Sequence, residues 1–215
     1  MTPLLDSINQ DLITELRKFG RTHKFNENEE IFAGGDNADF LPVVLSGKVK
    51  MINFLEPGKE VIIGIFGKGE MFAIPPVFDG GRYPATAIAM ERTDLLMIAR
   101  SDFLDLIRRS SELAFAVIEW TCAMLREKTA TIQNLATASP DHRIGNVLIK
   151  LASGNTDDSP VKITLRREDI AKMAGLTTET TIRVIRRLAE LRMVRIDHGK
   201  IFIDDISKLK RHVES

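Results

Sequence analysis

Residues 166–195, RREDIAKMAGLTTETTIRVIRRLAELRMVR, hold two short apolar-periodic segments separated by one glycine and two threonines. Helices this short do not persist alone, so they must be packed on something, and the abrupt turn between them leaves few architectures. Ile170, Ala171 and Ala174 mark one face of a first helix, and Gly175 supplies the unhindered backbone a sharp turn needs. Thr177 or Thr178 can cap a second helix, whose apolar positions Ile182, Ile185, Leu188, Ala189 and Leu191 recur at helical spacing. Glu179 and Arg183 stand four apart on its outer face. In an ordinary helical bundle they would be only a solvated ion pair. What flanks the helices argues for a helix-turn-helix instead. Val161 to Leu165 alternates as a short strand, and Val194–Asp197 and Lys200–Ile203 alternate around His198-Gly199, a compact hairpin signal. Strand, two helices and hairpin describe a winged helix-turn-helix, with double-stranded DNA as its partner.

Net charge over the 215 residues is zero, but it is unevenly spread. Residues 1–138 carry 15 basic and 19 acidic side chains, and residues 139–215 carry 15 and 11. An acidic front joined to a basic back suits a sensor fused to a DNA binder. The single cysteine, Cys122, excludes a disulfide framework or a cysteine-ligated cluster within one chain, and its place in a helical apolar run predicts a buried, inert thiol. No apolar run reaches membrane-spanning length, and the opening MTPLLDSINQ lacks the basic start and apolar core of a secretory signal. The expected compartment is the cytoplasm, with no membrane partner.

Pro3 to Phe19 is expected to form an amphipathic helix through Leu4, Leu5, Ile8, Leu12, Ile13, Leu16 and Phe19. From His23 to about Ile98 the runs IFA, PVVL, VKMINF, VIIGIF, TAIAM and LLMIA alternate with glycine-rich turns, which indicates an antiparallel sandwich or jelly roll. A short helix from Ser101 to Ile107 precedes a long one over about 111–137. Ala114, Val117, Thr121, Met124, Lys128, Thr131, Leu135 and Ala138 follow a heptad along it, widened by Leu113, Ile118, Trp120, Leu125 and Ile132. A helix apolar on two sides needs two partners: its own β domain and a second copy of itself. Ser139-Pro140 then breaks it, and a new helix starts there with Ile144, Val147, Leu148 and Leu151. The class is therefore α+β: a β-roll over 1–110, a dimerisation helix over 111–138 and a winged helix-turn-helix over 139–215.

This order of parts resembles the cyclic-AMP receptor protein/FNR (Crp/Fnr) family of bacterial transcription regulators over nearly the whole chain. The resemblance rests on IFAGGDNADFLPVVLSGKVKM, GKGEMF, NLATASPDHRIGNVLIKLA and AGLTTETTIRVIRRL, in that order. It implies a homodimer reading paired DNA half-sites, with RNA polymerase as a further partner. The family's base-reading glutamate and arginine match Glu179 and Arg183, and Thr178 falls where members vary the reading residue. Arg183 can pair with both acceptors of guanine, and Glu179 can accept from cytosine N4. Ile182 replaces a small or polar residue and suits a thymine methyl. Arg167, Thr177, Thr180, Arg186, Arg187 and Lys200 suit phosphates, which position without specifying. Arg166 departs from the family's usual capping Ser/Thr.

On the sensor side the resemblance places the effector pocket at Phe72, Ala73, Ile74, Arg82, Tyr83, Ala85, Lys128 and Thr129. Cyclic-nucleotide binders of the family use Phe-Gly-Glu and a later Arg-Ser pair. Here Ile74 falls at the glutamate, Pro84 at the arginine and Ala85 at the serine, with Arg82 in reach only if the loop shifts by two residues. A phosphate without its charge partner is costly to bury, which disfavours a cyclic nucleotide. The cysteines of the iron–sulfur branch are missing. Haem stays open, since Met71, Phe72, Tyr83 and Pro84 could line an apolar cavity with His23, the sole histidine of the sensor half, as ligand. A roll that packs as a plain core, with constitutive DNA binding, is the other alternative. Metal-dependent jelly-roll enzymes need clustered histidines, and residues 24–141 contain none, so an enzyme is not expected.

Overall fold

A computed structural model describes residues 10–56, 59–152 and 160–214. They form two compact units, Met1–Glu127 and Lys128–Ser215, with the boundary inside a long helix. In the first unit, helix α1 (Gln10–Phe19) buries Leu12 and Leu16. The part expected before it, with Leu4, Leu5 and Ile8, lies outside the described residues. Seven strands follow: β1 (Gly20–Phe25), β2 (Glu30–Phe32), β3 (Phe40–Ser46), β4 (Val49–Glu56), β5 (Lys59–Phe66), β6 (Thr86–Ala89) and β7 (Thr93–Ala99). They pair antiparallel in two sheets, ordered β1-β7-β3 and β2-β6-β4-β5. The expected roll is there.

Strand β1, GRTHKF, has no apolar run to betray it. It is an edge strand paired to β7 from Gly20↔Ile98 to Phe25↔Thr93, and four of its six residues are exposed. A short helix α2 (Ile74–Asp79) separates β5 from β6, and α3 (Arg100–Arg109) buries Phe103 and Leu106 in the roll core.

Helix α4 spans Ser111–Thr137, as its periodicity predicts. Leu113, Ala116, Val117 and Trp120, spaced as one helical face, belong to the roll's core, and Met124 packs against it. Another stripe is exposed: Phe115 (66%), Ile118 (56%), Cys122, Leu125 (67%), Thr129 and Ile132 (67%). Its alternating three- and four-residue steps are those of a coiled-coil seam. Two expectations are corrected here. Val117 and Met124 face the roll rather than a second helix, so the seam is shifted by one residue from the expected heptad. Cys122 is exposed rather than buried, because it lies on the stripe turned away from the roll.

The second unit opens with α5 (Pro140–Ala152), where the Ser139 hydroxyl accepts from the His142 N–H at 3.4 Å across the proline-started first turn. Strand β8 (Val161–Ile163), helices α6 (Arg167–Ala174) and α7 (Thr178–Glu190), strands β9 (Arg195–Asp197) and β10 (Lys200–Ile203) and helix α8 (Ile206–Glu214) complete it. The strands form one antiparallel sheet, β8-β10-β9. His198 and Gly199 both take positive φ, 45° and 74°, the backbone of the tight hairpin turn the sequence suggests. Ile144, Leu148, Ile170, Ala174, Val184, Ile185, Leu188, Val194, Ile201, Ile203 and Leu209 share one core. Leu209 comes from α8, an element whose dispersed apolar residues among charges gave little signal.

Candidate nucleic-acid interface and roll interior

Gly175 ends α6 in the left-handed region, φ 62°, and its N–H donates to the Ala171 carbonyl. Two residues later Thr177 caps α7. Its hydroxyl accepts from the Thr180 N–H at 3.2 Å and donates to the Thr180 hydroxyl at 3.0 Å. Such a cap is worth about 1 kcal/mol, so both threonines shape the turn whether or not they also touch phosphate. Arg166 stands at the cap position of α6 but its side chain makes no capping bond.

Thr181, Val184, Ile185 and Leu188 bury one face of α7. The opposite face carries an open groove of about 590 Å³ lined by Glu179, Ile182, Arg183, Arg186, Arg187 and Glu190. Thr178 is half-buried at the helix start. Glu179 and Arg183 are exposed, and neither makes an ion pair or side-chain hydrogen bond among the described residues. Arg186 and Lys200 are likewise exposed and unpaired.

Two of the cations matched to phosphates are held instead. The Arg187 guanidinium pairs through two bonds with Asp141 in the first turn of α5, Nε donating to Oδ1 at 2.7 Å and the second nitrogen to Oδ2. That bond raises the Arg187 pKa above the usual arginine range. The Arg167 guanidinium donates to the Gly199 carbonyl at 2.7 Å, tying the start of α6 to the wing turn. Arg195 braces the wing, paired with Asp204 at 3.2 Å and lying 4.7 Å over the Phe202 ring. Asp141 and Gly199 lie 46 and 32 residues from their partners, so no local pattern points to either contact.

The roll interior is built differently. Phe32 and Tyr83 stack at 3.6 Å with 13° between planes, and Phe66 and Phe72 stack at 4.9 Å. Phe32 also meets Phe72 at 6.0 Å and Phe40 at 6.1 Å, so five rings form one contiguous cluster. The Tyr83 hydroxyl donates to the Phe40 carbonyl at 2.6 Å, and burial pushes the phenol above the usual tyrosine range. Ala73, Ile74 and Ala85 belong to the same core. Ala73 holds φ 57°, a left-handed conformation that costs a non-glycine residue about 1–2 kcal/mol.

At the three positions matched to nucleotide contacts, Ile74 and Ala85 are buried and apolar, and Pro84 is exposed. Arg82 is also exposed, its guanidinium donating to the Gly35 carbonyl at 2.7 Å. Lys128 and Thr129 lie on α4 in the second unit, Thr129 on the exposed stripe. His23 is exposed on β1, so it does not line the apolar interior a haem would occupy.

An antiparallel roll followed by a winged helix-turn-helix with a free charged reading face defines a two-part DNA-binding regulator. Comparison with known proteins agrees. Residues 22–110 match the cyclic nucleotide-binding domain, and residues 142–212 match the Crp-like helix-turn-helix domain. The cyclic AMP receptor protein of Thermus thermophilus is 28% identical over 209 residues, covering 97% of this chain and 95% of that protein. The nitrogen fixation regulation protein FixK of Azorhizobium caulinodans is 29% identical over 193 residues, covering 87% and 77%. The solved structure of FixK2 from Bradyrhizobium japonicum superposes with a TM-score of 0.81 at 19% identity, covering 89% and 96%, a likeness of fold. The chain belongs to the Crp/Fnr family of DNA-binding transcription regulators. The relatives are regulators rather than enzymes, and no helix among the described residues is long and apolar enough to cross a membrane.

Proposed function

We propose that this chain is a cytoplasmic, homodimeric, sequence-specific regulator that reads DNA through α7 and contacts RNA polymerase at its promoters. Its division is a roll over 1–110, a dimerisation helix over 111–138 and a reading domain over 139–215. The observation that carries the reading is the unpaired Glu179–Arg183 pair on a face with no core role. Thr178, Glu179 and Arg183 read base edges, and Arg186 and Lys200 take phosphates directly. Thr177 and Thr180 add phosphate contacts beyond their cap, while Arg167 and Arg187 reach phosphate only by sharing or leaving their present partners. Dimerisation through the stripe from Phe115 to Ile132 sets two copies of α7 against successive major grooves, about 34 Å apart. Selection of duplexes from a random-sequence pool tests this: a two-fold symmetric site should emerge, and none would refute it. Cys122, the protein's only cysteine, reports the seam, since in this register its symmetry mate lies opposite and mild oxidation should yield a covalent dimer.

The roll is gated by a small effector other than cyclic AMP, the substitution of Ile74, Pro84 and Ala85 for charged and polar contacts being the support. A second reading is favoured by the ring cluster around Tyr83: the roll is structural and DNA binding is constitutive. Melting temperatures with cyclic AMP, cyclic GMP and haem distinguish the two, because a ligand that binds only the folded state raises the transition.

A further inference from the structure

Helix α7 contains one residue that its packing does not explain. Val184, Ile185 and Leu188 are core residues of the second unit, and Ala189 packs against them. Ile182 alone among the helix's apolar residues joins neither group. It is half-buried and lies in the groove between Glu179 and Arg183, among charged side chains. A branched aliphatic side chain there loses no water on folding beyond what its neighbours cover, so it adds little to stability, and a solvated polar residue would serve the free protein as well. Its surroundings change only when the groove is filled. In the major groove the apolar feature available to such a side chain is the thymine C5-methyl group, which projects from the same edges that Arg183 and Glu179 reach.

We propose that Ile182 is a specificity-determining residue that reads a thymine methyl in each half-site, beside the base pairs read by Glu179 and Arg183. This rests on the assignment of α7 as the reading helix. The contact is apolar and adds no hydrogen bond, so it discriminates thymine from uracil and cytosine by a methyl group alone. The contact sits at a fixed place in the half-site, because Ile182 is the immediate neighbour of Arg183 in the chain.

The test uses the full-length protein and the duplex recovered by selection, with each thymine replaced in turn by deoxyuridine, which removes only the methyl. Binding is followed by fluorescence anisotropy at constant salt for the wild type, Ile182→Ala and Arg183→Ala. The expected result is one thymine per half-site whose demethylation weakens the wild type about four-fold, or about fifteen-fold when both half-sites are changed, from the burial of one methyl-sized group per copy. Ile182→Ala should bind the native site as weakly as the wild type binds the doubly substituted one, and should be indifferent to deoxyuridine. The proposal is overturned if the selected half-site lacks an invariant thymine, or if demethylation affects the wild type and Ile182→Ala alike. Loss of selectivity in Arg183→Ala would stand in either case. A failure of the α7 assignment itself would appear separately, as binding that Arg183→Ala leaves unchanged. Ile182→Ala should melt with the wild type, because the side chain lies outside the core.

Discussion

The roll interior and the α7 groove stand in opposite relations to the family pattern. In the groove, the charged residues that match the family's readers are present, exposed and unpaired. In the roll, the positions that match the polar and charged nucleotide contacts hold isoleucine, proline and alanine, and five aromatic rings close over one another. A charge facing water costs little to keep, whereas a charge in a closed interior must have its ligand to be tolerated. Once the ligand chemistry changes, a buried charged contact becomes a liability and apolar packing replaces it. An exposed reading residue meets no such pressure from the fold.

The contrast can be broken or sharpened by substitution, beginning with the largest effect. Arg183→Ala should lose about 2–6 kcal/mol of specific binding for a dimer on two half-sites, while non-specific binding changes little. Competition between the selected duplex and a scrambled one measures it, and an unchanged ratio would remove Arg183 from base reading. Phe32→Ala should destabilise the roll by about 3–5 kcal/mol in denaturant titration, because it strips the ring that stacks on Tyr83. A cost below about 1 kcal/mol would mean that the cluster is a loosely filled pocket with room for a ligand.

Smaller effects test the held arginines and the strained turn. Asp141→Ala releases Arg187, so non-specific DNA affinity should rise and the salt dependence should steepen by about 0.9 in log–log slope per protomer. An unaltered slope would show that Arg187 stays away from phosphate. Ala73→Gly should raise stability by about 1 kcal/mol, by relieving a left-handed alanine at some cost in unfolded-chain entropy. A lower melting temperature would contradict that.

Much of this was legible in the sequence, for reasons that differ by element. Helix α4 and the hairpin around His198-Gly199 are dictated locally, by periodicity in one and turn chemistry in the other. The Thr177 cap and the Gly175 turn follow from the same local rules. Which stripe of α4 faces the roll was not legible, because Val117 and Ile118 are equally apolar and only the packed roll chooses between them. Strand β1 escaped because its ladder partner is 70-odd residues away and its side chains face water. Arg187 and Arg167 read as free cations until the fold brought Asp141 and the wing carbonyl to them. At the roll, the missing charges were visible in the sequence. The filling of that space by Phe32, Phe40 and Phe66, drawn from three strands, was not.

The most direct test is the ratio of dissociation constants for the selected and scrambled duplexes, measured at one salt concentration with and without cyclic AMP. We expect a ratio of at least about 10³ that cyclic AMP leaves unchanged. A ratio near one that rises only when cyclic AMP is added would contradict the account.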